Sequence, residues 1–158
     1  MKMENKKEKA TFAAGCFWHI EEVFEKVPGV IATRVGYIGG KMKNPTYQQV
    51  CSLDTGHVEA TEVSFDPEKI SYEKLLDVFW NIHDPTTKGR QGPDVGSQYN
   101  SVIFYHNEEQ KQLASKSKED RQRKMQRKIV TEIKKAPKFW VAEEYHQRYM
   151  EKNKGRFF

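Results

Sequence analysis

Cysteine is scarce in this sequence, with two residues, Cys16 and Cys51, among 158. Two thiols are too few for a disulfide scaffold. Long apolar runs are missing too: nothing approaches the roughly 18 consecutive residues of a membrane span. Residues 1–9 are charged and lack the apolar segment of a secretion signal. We therefore expect a cytoplasmic protein with reduced cysteines and no membrane association, residues 1–9 forming a disordered lead-in and 10–158 a single domain. No internal repeat or low-complexity tract is present. The glycine cluster Gly36, Gly39, Gly40 has neither the spacing nor the Lys-Ser/Thr ending of a phosphate-binding loop. The five histidines (19, 57, 83, 106, 146) are scattered, with no pair at helical or finger spacing. His57-x-Glu59 has no later Pro-Cys-x-x-Cys to complete a zinc deaminase pattern, so no metal is expected and each histidine is read as exposed or singly hydrogen-bonded.

What is present suits a globular domain: 37% hydrophobic and 12% aromatic residues in a chain long enough to bury a core unaided. The net charge of +5 is unevenly spread. Residues 116–138 hold ten Lys or Arg against three acids, which leaves the remainder at −2. A basic stretch of this kind can bind nucleic acid, but the reading adopted here is a solvated helix face.

Small, β-compatible residues from Ala10 to Ala14 end at Gly15, and Ile20, Val23, Phe24 and Val27 then follow at helical spacing. A turn at Pro28-Gly29 leads to a β-branched strand over 30–37, and Asn44-Pro45-Thr46-Tyr47 opens a short helical piece ending near Cys51. Residues 57–65 read as a strand closed by Asp66-Pro67. Ser71 caps a helix carrying Leu75, Leu76, Phe79 and Trp80. Residues 83–98 read as one long loop, 99–105 as a strand, Asn107 and Gln110 as a capping box opening the basic helix, and 129–133 as a last strand. A final helix over 142–152 turns Tyr145, Tyr149 and Met150 inward. This order contains βαββαβ, which implies a two-layer α/β sandwich with a ferredoxin-like core plus extra elements.

Cys16 thus falls at a strand-to-helix turn, where free backbone N–H groups and the helix dipole favour a thiolate. The dipole contributes roughly 1 kcal/mol, a little under one pKa unit. A small buried cysteine that merely packs is the competing reading of its position. By count alone the histidines leave a thiol hydrolase open, yet the residues around them resemble no protease signature. A thiolate flanked by Phe17 and Trp18 can receive a small apolar group such as a methyl, while Glu59 and the hydroxyls of Tyr47 or Tyr99 address an oxygen on the same substrate. Oxygen leaves poorly unless protonated, and a carboxyl group against aromatic walls has a raised pKa and holds a proton at pH 7. An ionised Glu59 would disfavour the thiolate, so the two groups require opposite protonation states.

Taken together, these residues resemble the A-type peptide methionine sulfoxide reductases. The resemblance runs from about Thr11 to Lys152. It rests on Gly15-Cys16-Phe17-Trp18, Gly36-Tyr37-Ile38-Gly39-Gly40, Asn44-Pro45-Thr46-Tyr47, Asp54-Thr55-Gly56-His57-Val58-Glu59-Ala60, Phe65-Asp66-Pro67, His83-Asp84-Pro85, Gly96-Ser97-Gln98-Tyr99 and Ala142-Glu143-Glu144-Tyr145-His146-Gln147. It implies that Cys16 attacks the sulfur of methionine S-sulfoxide, free or in oxidised proteins, and becomes a sulfenic acid as methionine leaves. Glu59 would donate the proton, Tyr47 and Tyr99 would hold the oxygen, Phe17 and Trp18 would wall the methyl group, and Asp94 would help order the site. His19 stands where the family usually has glycine, and is expected to point to solvent. Many members also carry resolving cysteines in a C-terminal tail, whereas this sequence has none after Cys51. Recycling then falls to Cys51 or, the preferred reading, to an external thiol such as thioredoxin, glutaredoxin or glutathione, with no bound cofactor. A monomer is expected. The rival of another class is a nucleic-acid-binding module built on residues 116–138, with Cys16 structural.

Overall fold

The computed structural model describes residues 7–52 and 54–153. In chain order the elements are β1 (Glu8–Ala14), α1 (Phe17–Glu25), β2 (Val30–Ile38), α2 (Tyr47–Ser52), β3 (Val58–Phe65), α3 (Tyr72–Asn81), β4 (Arg90–Gln91), β5 (Asp94–Val95), β6 (Ser101–Tyr105), α4 (Glu108–Gln122), β7 (Glu132–Lys135), β8 (Trp140–Val141) and α5 (Tyr149–Lys152). Short 3₁₀ turns occupy Ser97–Tyr99 and Glu144–His146. No helix among the described residues is long and apolar enough to cross a membrane.

Alternation in β1 sends Ala10, Phe12 and Ala14 to one face and Thr11 and Ala13 to the other, and all five are buried, so the central sheet is covered on both sides. On the first face α1 and α3 bring Ile20, Phe24, Leu75, Leu76 and Phe79 onto Ala10, Phe12, Val63 and Phe65. The Phe12 ring stacks on Phe24 at 5.2 Å and on Phe79 at 5.3 Å. On the second face Ala13, Ile38, Val58, Ala60, Val102 and Phe104 are covered by Ala136 and Phe139. The sheet order is β7-β6-β1-β3-β2-β8, and β6-β1-β3-β2 are mutually antiparallel. With α1 and α3 as crossovers this is the expected ferredoxin-like core. The additions are β7, parallel to β6, and the two-residue edge strand β8 on β2.

Five local expectations give way in whole or in part. Residues 83–98 are not one loop: β4 and β5 form a hairpin turning at Gly92 (φ 58°), closed by Gly96 N donating to Gly89 O at 2.8 Å. The strand expected over 129–133 starts at Glu132 and is followed by a further one, β8, because the three residues before Glu132 are engaged elsewhere. Ile129 N donates to Gln122 Oε1, Val130 N to Pro85 O, and the Thr131 hydroxyl pairs with Ser101. The helix expected over 142–152 is broken at Arg148, which adopts φ 53°. There the Gln147 amide bonds like a strand, accepting from Val35 N and donating to Val35 O and Ala142 O, all at 2.9 Å. As a result Tyr145 faces outward, 58% exposed. At Asn107 the cap is half as expected: its side chain accepts from Gln110 N, but Gln110 Oε1 takes His106 N instead of closing the box. Of the lead-in expected over residues 1–9, residues 1–6 lie outside the described residues, and Glu8 and Lys9 belong to β1.

Candidate active site

Gly15 (φ 103°) turns the chain sharply after β1, and Cys16 becomes the N-cap of α1. The positive φ favours glycine, and so does space: a Cβ at Gly15 would lie 2.7 Å from Gln91 Cγ. The N–H groups of Trp18 and His19 point at the Cys16 sulfur and lower its pKa, as the helix terminus leads one to expect. They do not prevail. Burial, then the negative charge of Glu59 and more weakly of Asp94, pushes the thiol up to about 12. The thiolate that the helix terminus favours is thereby suppressed at neutral pH. Desolvation of a half-buried sulfur beside two carboxyl groups outweighs a helix end contributing roughly 1 kcal/mol.

Glu59 lies in β3 opposite Tyr37 of β2, on the face that α1 covers, and is 1% exposed. Its Oε1 accepts the Phe17 N–H at 3.2 Å, while Oε2 is buried with no partner. Burial raises its pKa to about 8 against the pull of that hydrogen bond, with Asp94 adding to the rise. At neutral pH Glu59 is therefore mostly protonated, and its opposition to a Cys16 thiolate is correspondingly small.

Rings enclose the pair. Phe17 is buried between Tyr37 at 5.8 Å, Tyr47 at 6.5 Å and His146 at 5.2 Å. Trp18 stays half-exposed, stacks on Tyr149 at 3.8 Å with planes 9° apart, and donates from Nε1 to His146 Nδ1 at 2.9 Å. That bond fixes the neutral His146 tautomer with the proton on Nε2, which is buried without a partner. Burial holds His146 below the usual histidine range. The segment carrying it is laid across the site by Glu143, which accepts from the Tyr37 hydroxyl at 2.8 Å and from Tyr47 N at 2.9 Å. Its far end is secured on α1 by Glu21, which accepts from Arg148 N at 2.7 Å and from the Thr33 hydroxyl at 2.9 Å.

The predicted residues converge. Tyr99, ending its 3₁₀ turn, has its pKa raised by burial and by the charges of Glu59, Cys51, Asp94 and Cys16. Tyr47 is raised likewise by burial, Cys51 and Glu59. Asp94, on β5 of the hairpin, acts on both Cys16 and Glu59. Cys51 belongs to the same group: burial raises its pKa, against hydrogen bonds from the Tyr47 hydroxyl and the Gln98 side chain. His19 is exposed on the outer side of α1. Sequence reasoning missed Tyr37, Glu143 and His146 as parts of the site. All three lie in quoted motifs, but the motifs do not reveal that residues 142–149 fold back over Cys16. The reading of every histidine as exposed or singly bonded also fails. His57 accepts from Gly40 N and pairs with Met42 O, and His83 pairs with Phe79 O and Ser101 Oγ. Among the described residues no group of three or more His, Cys, Asp or Glu is arranged to hold a metal ion.

A thiol at a helix terminus, a protonated buried carboxyl group against it and two flanking tyrosines suit attack on a polar, uncharged centre bearing oxygen. The family model for peptide methionine sulfoxide reductase matches residues 8–158. The chain belongs to the peptide methionine sulfoxide reductase family. A reductase of this family from Methanosarcina acetivorans, named peptide methionine sulfoxide reductase MsrA, is 65% identical over 147 residues, 92% of this chain and 78% of its own length. Among solved reductase structures, reduced Mxr1 from Saccharomyces cerevisiae superimposes with a TM-score of 0.91 at 37% identity, over 98% of this chain and 90% of that one. Mxr1 has also been solved in complex with Trx2, a structure that matches with a TM-score of 0.66 at 28% identity over 94% and 89% of the two chains.

Proposed function

We propose that Cys16 is the nucleophile and Glu59 the proton donor in the thiol-dependent reduction of methionine S-sulfoxide to methionine. The Cys16 sulfur bonds to the sulfoxide sulfur as Glu59 protonates the oxygen. The oxygen ends on Cys16 as a sulfenic acid, methionine leaves reduced by two electrons, and the thiol proton replaces the one Glu59 delivered. The observation that carries this reading is the pairing of a buried Glu59, protonated at pH 7, with a thiol that has no resting thiolate. Here proton delivery to oxygen and deprotonation of the thiol proceed together, so neither group has to hold a charge in the empty site. Tyr47 and Tyr99, neutral through the working range, hold the oxygen. Trp18 forms the methyl wall with Phe17 behind it, Asp94 orders the hairpin side, and His146 holds the Trp18 ring in place through its indole N–H.

An external thiol regenerates Cys16. The Mxr1–Trx2 complex supports a thioredoxin-type reductant. Cys51, bonded to the Tyr47 hydroxyl, is the competing internal route. The test is turnover of methionine S-sulfoxide and R-sulfoxide with dithiothreitol. Wild type consumes the S form and spares the R form, and Cys16→Ser consumes neither. Equal activity of the two proteins would refute the assignment. Mass spectrometry after one equivalent of sulfoxide separates the recycling routes: one added oxygen marks a persisting sulfenic acid. Loss of two hydrogens in wild type but not in Cys51→Ser marks a Cys16–Cys51 disulfide and rejects the external route as the first step.

A further inference from the structure

The basic stretch plays no part in sulfoxide chemistry, yet its cations divide into two groups. On the outer face of α4, Lys116 and Arg123 both pair with Asp120, at 3.3 and 2.7 Å. Arg121, Lys124 and Arg127 form no ion pair among the described residues. Arg121 reaches only the Asn81 side-chain oxygen, at 2.8 Å. These three line a groove of about 650 Å³ between the ends of α3 and α4, with Trp80 and Met125 as apolar surface and Asp84 and Pro85 opposite. Asp84 is the acid facing them in that groove, and its carboxylate is already engaged by the Thr86 N–H and hydroxyl. Glu73, Asp77 and Asp120 border the neighbouring groove, which shares Arg121 and Lys124.

The groove is built rather than frayed. Gln122 clamps the loop after α4, donating to Arg127 O and accepting Ile129 N, and Val130 N donates to Pro85 O at 2.8 Å. It also adjoins the thiol. β1 ends at Ala14 opposite Ser101, the first residue of β6, so the sheet end bearing Cys16 is the end at which α3 and α4 finish. Gln91 lies against Gly15, and its amide exchanges two hydrogen bonds of 2.8 Å with the Asp84 backbone. Gln91 alone therefore lies between the residue before the nucleophile and the groove wall, so a few residues of extended substrate chain, at roughly 3.3–3.6 Å each, reach from the sulfur to the cations beyond it. The catalytic side of Gln91 is acidic, with Glu59, Asp94 and Glu143; the far side is basic.

We propose that this groove takes acidic side chains of the substrate polypeptide, so that methionine sulfoxide is preferred where Asp or Glu lies about four residues away. The proposal rests on the reductase activity above. Cations without an ion pair, one of them held by Asn81, on a partly apolar floor suit a carboxylate on a short stem, and a neutral sulfoxide has no use for them.

The test compares three substrates with dithiothreitol as reductant: free methionine sulfoxide and two peptides carrying Glu or Lys four residues from it. Wild type turns over the Glu peptide with kcat/KM about tenfold above the Lys peptide at low salt, and the gap closes in 0.5 M NaCl. Arg121→Glu/Lys124→Glu/Arg127→Glu abolishes or reverses the preference while turning over free methionine sulfoxide as wild type does, which also shows that it folds. Lys111→Glu/Lys116→Glu/Arg123→Glu, with the same charge change outside the groove, keeps it. Equal turnover of the two peptides by wild type, or equal loss of preference in both variants, overturns the proposal. So does salt-sensitive RNA binding lost only in the groove variant with no peptide preference, which would assign the groove to nucleic acid. Failure of wild type on free methionine sulfoxide would instead overturn the activity itself.

Discussion

Two ionisable side chains of the candidate site, Cys16 and Glu59, lie far from their ordinary pKa values. Glu59 retains a proton up to about pH 8 because it is buried, and the unfolded chain gives that proton up near the ordinary glutamate pKa of 4.5. Between those values the unfolded state is favoured as pH rises, so Glu59 subtracts stability throughout the neutral range. Glu59→Gln, which retains an acceptor for Phe17 N–H, should therefore melt higher than wild type at pH 8 and equal to it at pH 4. Calorimetry at the two pH values checks this. The same variant should lose about 10²–10⁴ in kcat/KM and also the alkaline fall in rate that wild type shows through about pH 8. An unchanged alkaline limb would assign that limb to another group. That Cys16 and Glu59 lie together was legible from the motifs that carry them. The resting protonation of Cys16 was not: a helix terminus is visible in sequence, whereas the depth of burial that overrides it depends on which segments cover the sulfur.

The elements around the site differ in how readily the sequence betrays them. The core strands and α1 and α3 follow from alternation, helical spacing and the Ser71 cap, whose hydroxyl accepts Lys74 N at 3.1 Å. The β4–β5 hairpin and the segment after β8 do not, since each is held by side-chain amides to distant backbone, which leaves no periodic trace. Gln91 and Gln147 are those amides, and they give two predictions. Gly15→Ala sets a Cβ into a Gln91 side chain that Asp84 prevents from yielding. With the strain of a positive φ it should cost about 1–3 kcal/mol, read as a lowered Tm together with a loss of turnover. Gln147→Leu leaves Val35 N and Ala142 O unpaired, while Val35 O keeps the Ala142 N–H, and should cost about 2–4 kcal/mol in urea denaturation, with KM for peptide substrates rising as His146 and Glu143 loosen.

At the scale of the whole molecule, His83 joins the end of α3 to β6 and, through Ser101, to Thr131 ahead of β7. Burial lowers its pKa to about 4 from the ordinary 6.5. The unfolded chain therefore binds a proton first as pH falls, and the stability present above pH 6.5 drains away towards pH 4, by about 3 kcal/mol at most. Burial also lowers His106 and His146, which act in the same direction. The urea midpoint of His83→Gln should consequently fall less steeply between pH 6.5 and 4 than that of wild type, without becoming flat. A further consequence follows from the strand and segment order. Cys16, Tyr47 and Glu59 leave the ribosome long before Glu143 and His146, so the nascent chain carries Phe17 and Trp18, beside the thiol, without their cover until residues 143–149 follow. Cys16 and Glu59 thus precede the segment that closes beside them, and the distinctive protonation of the pair is a property of the assembled fold.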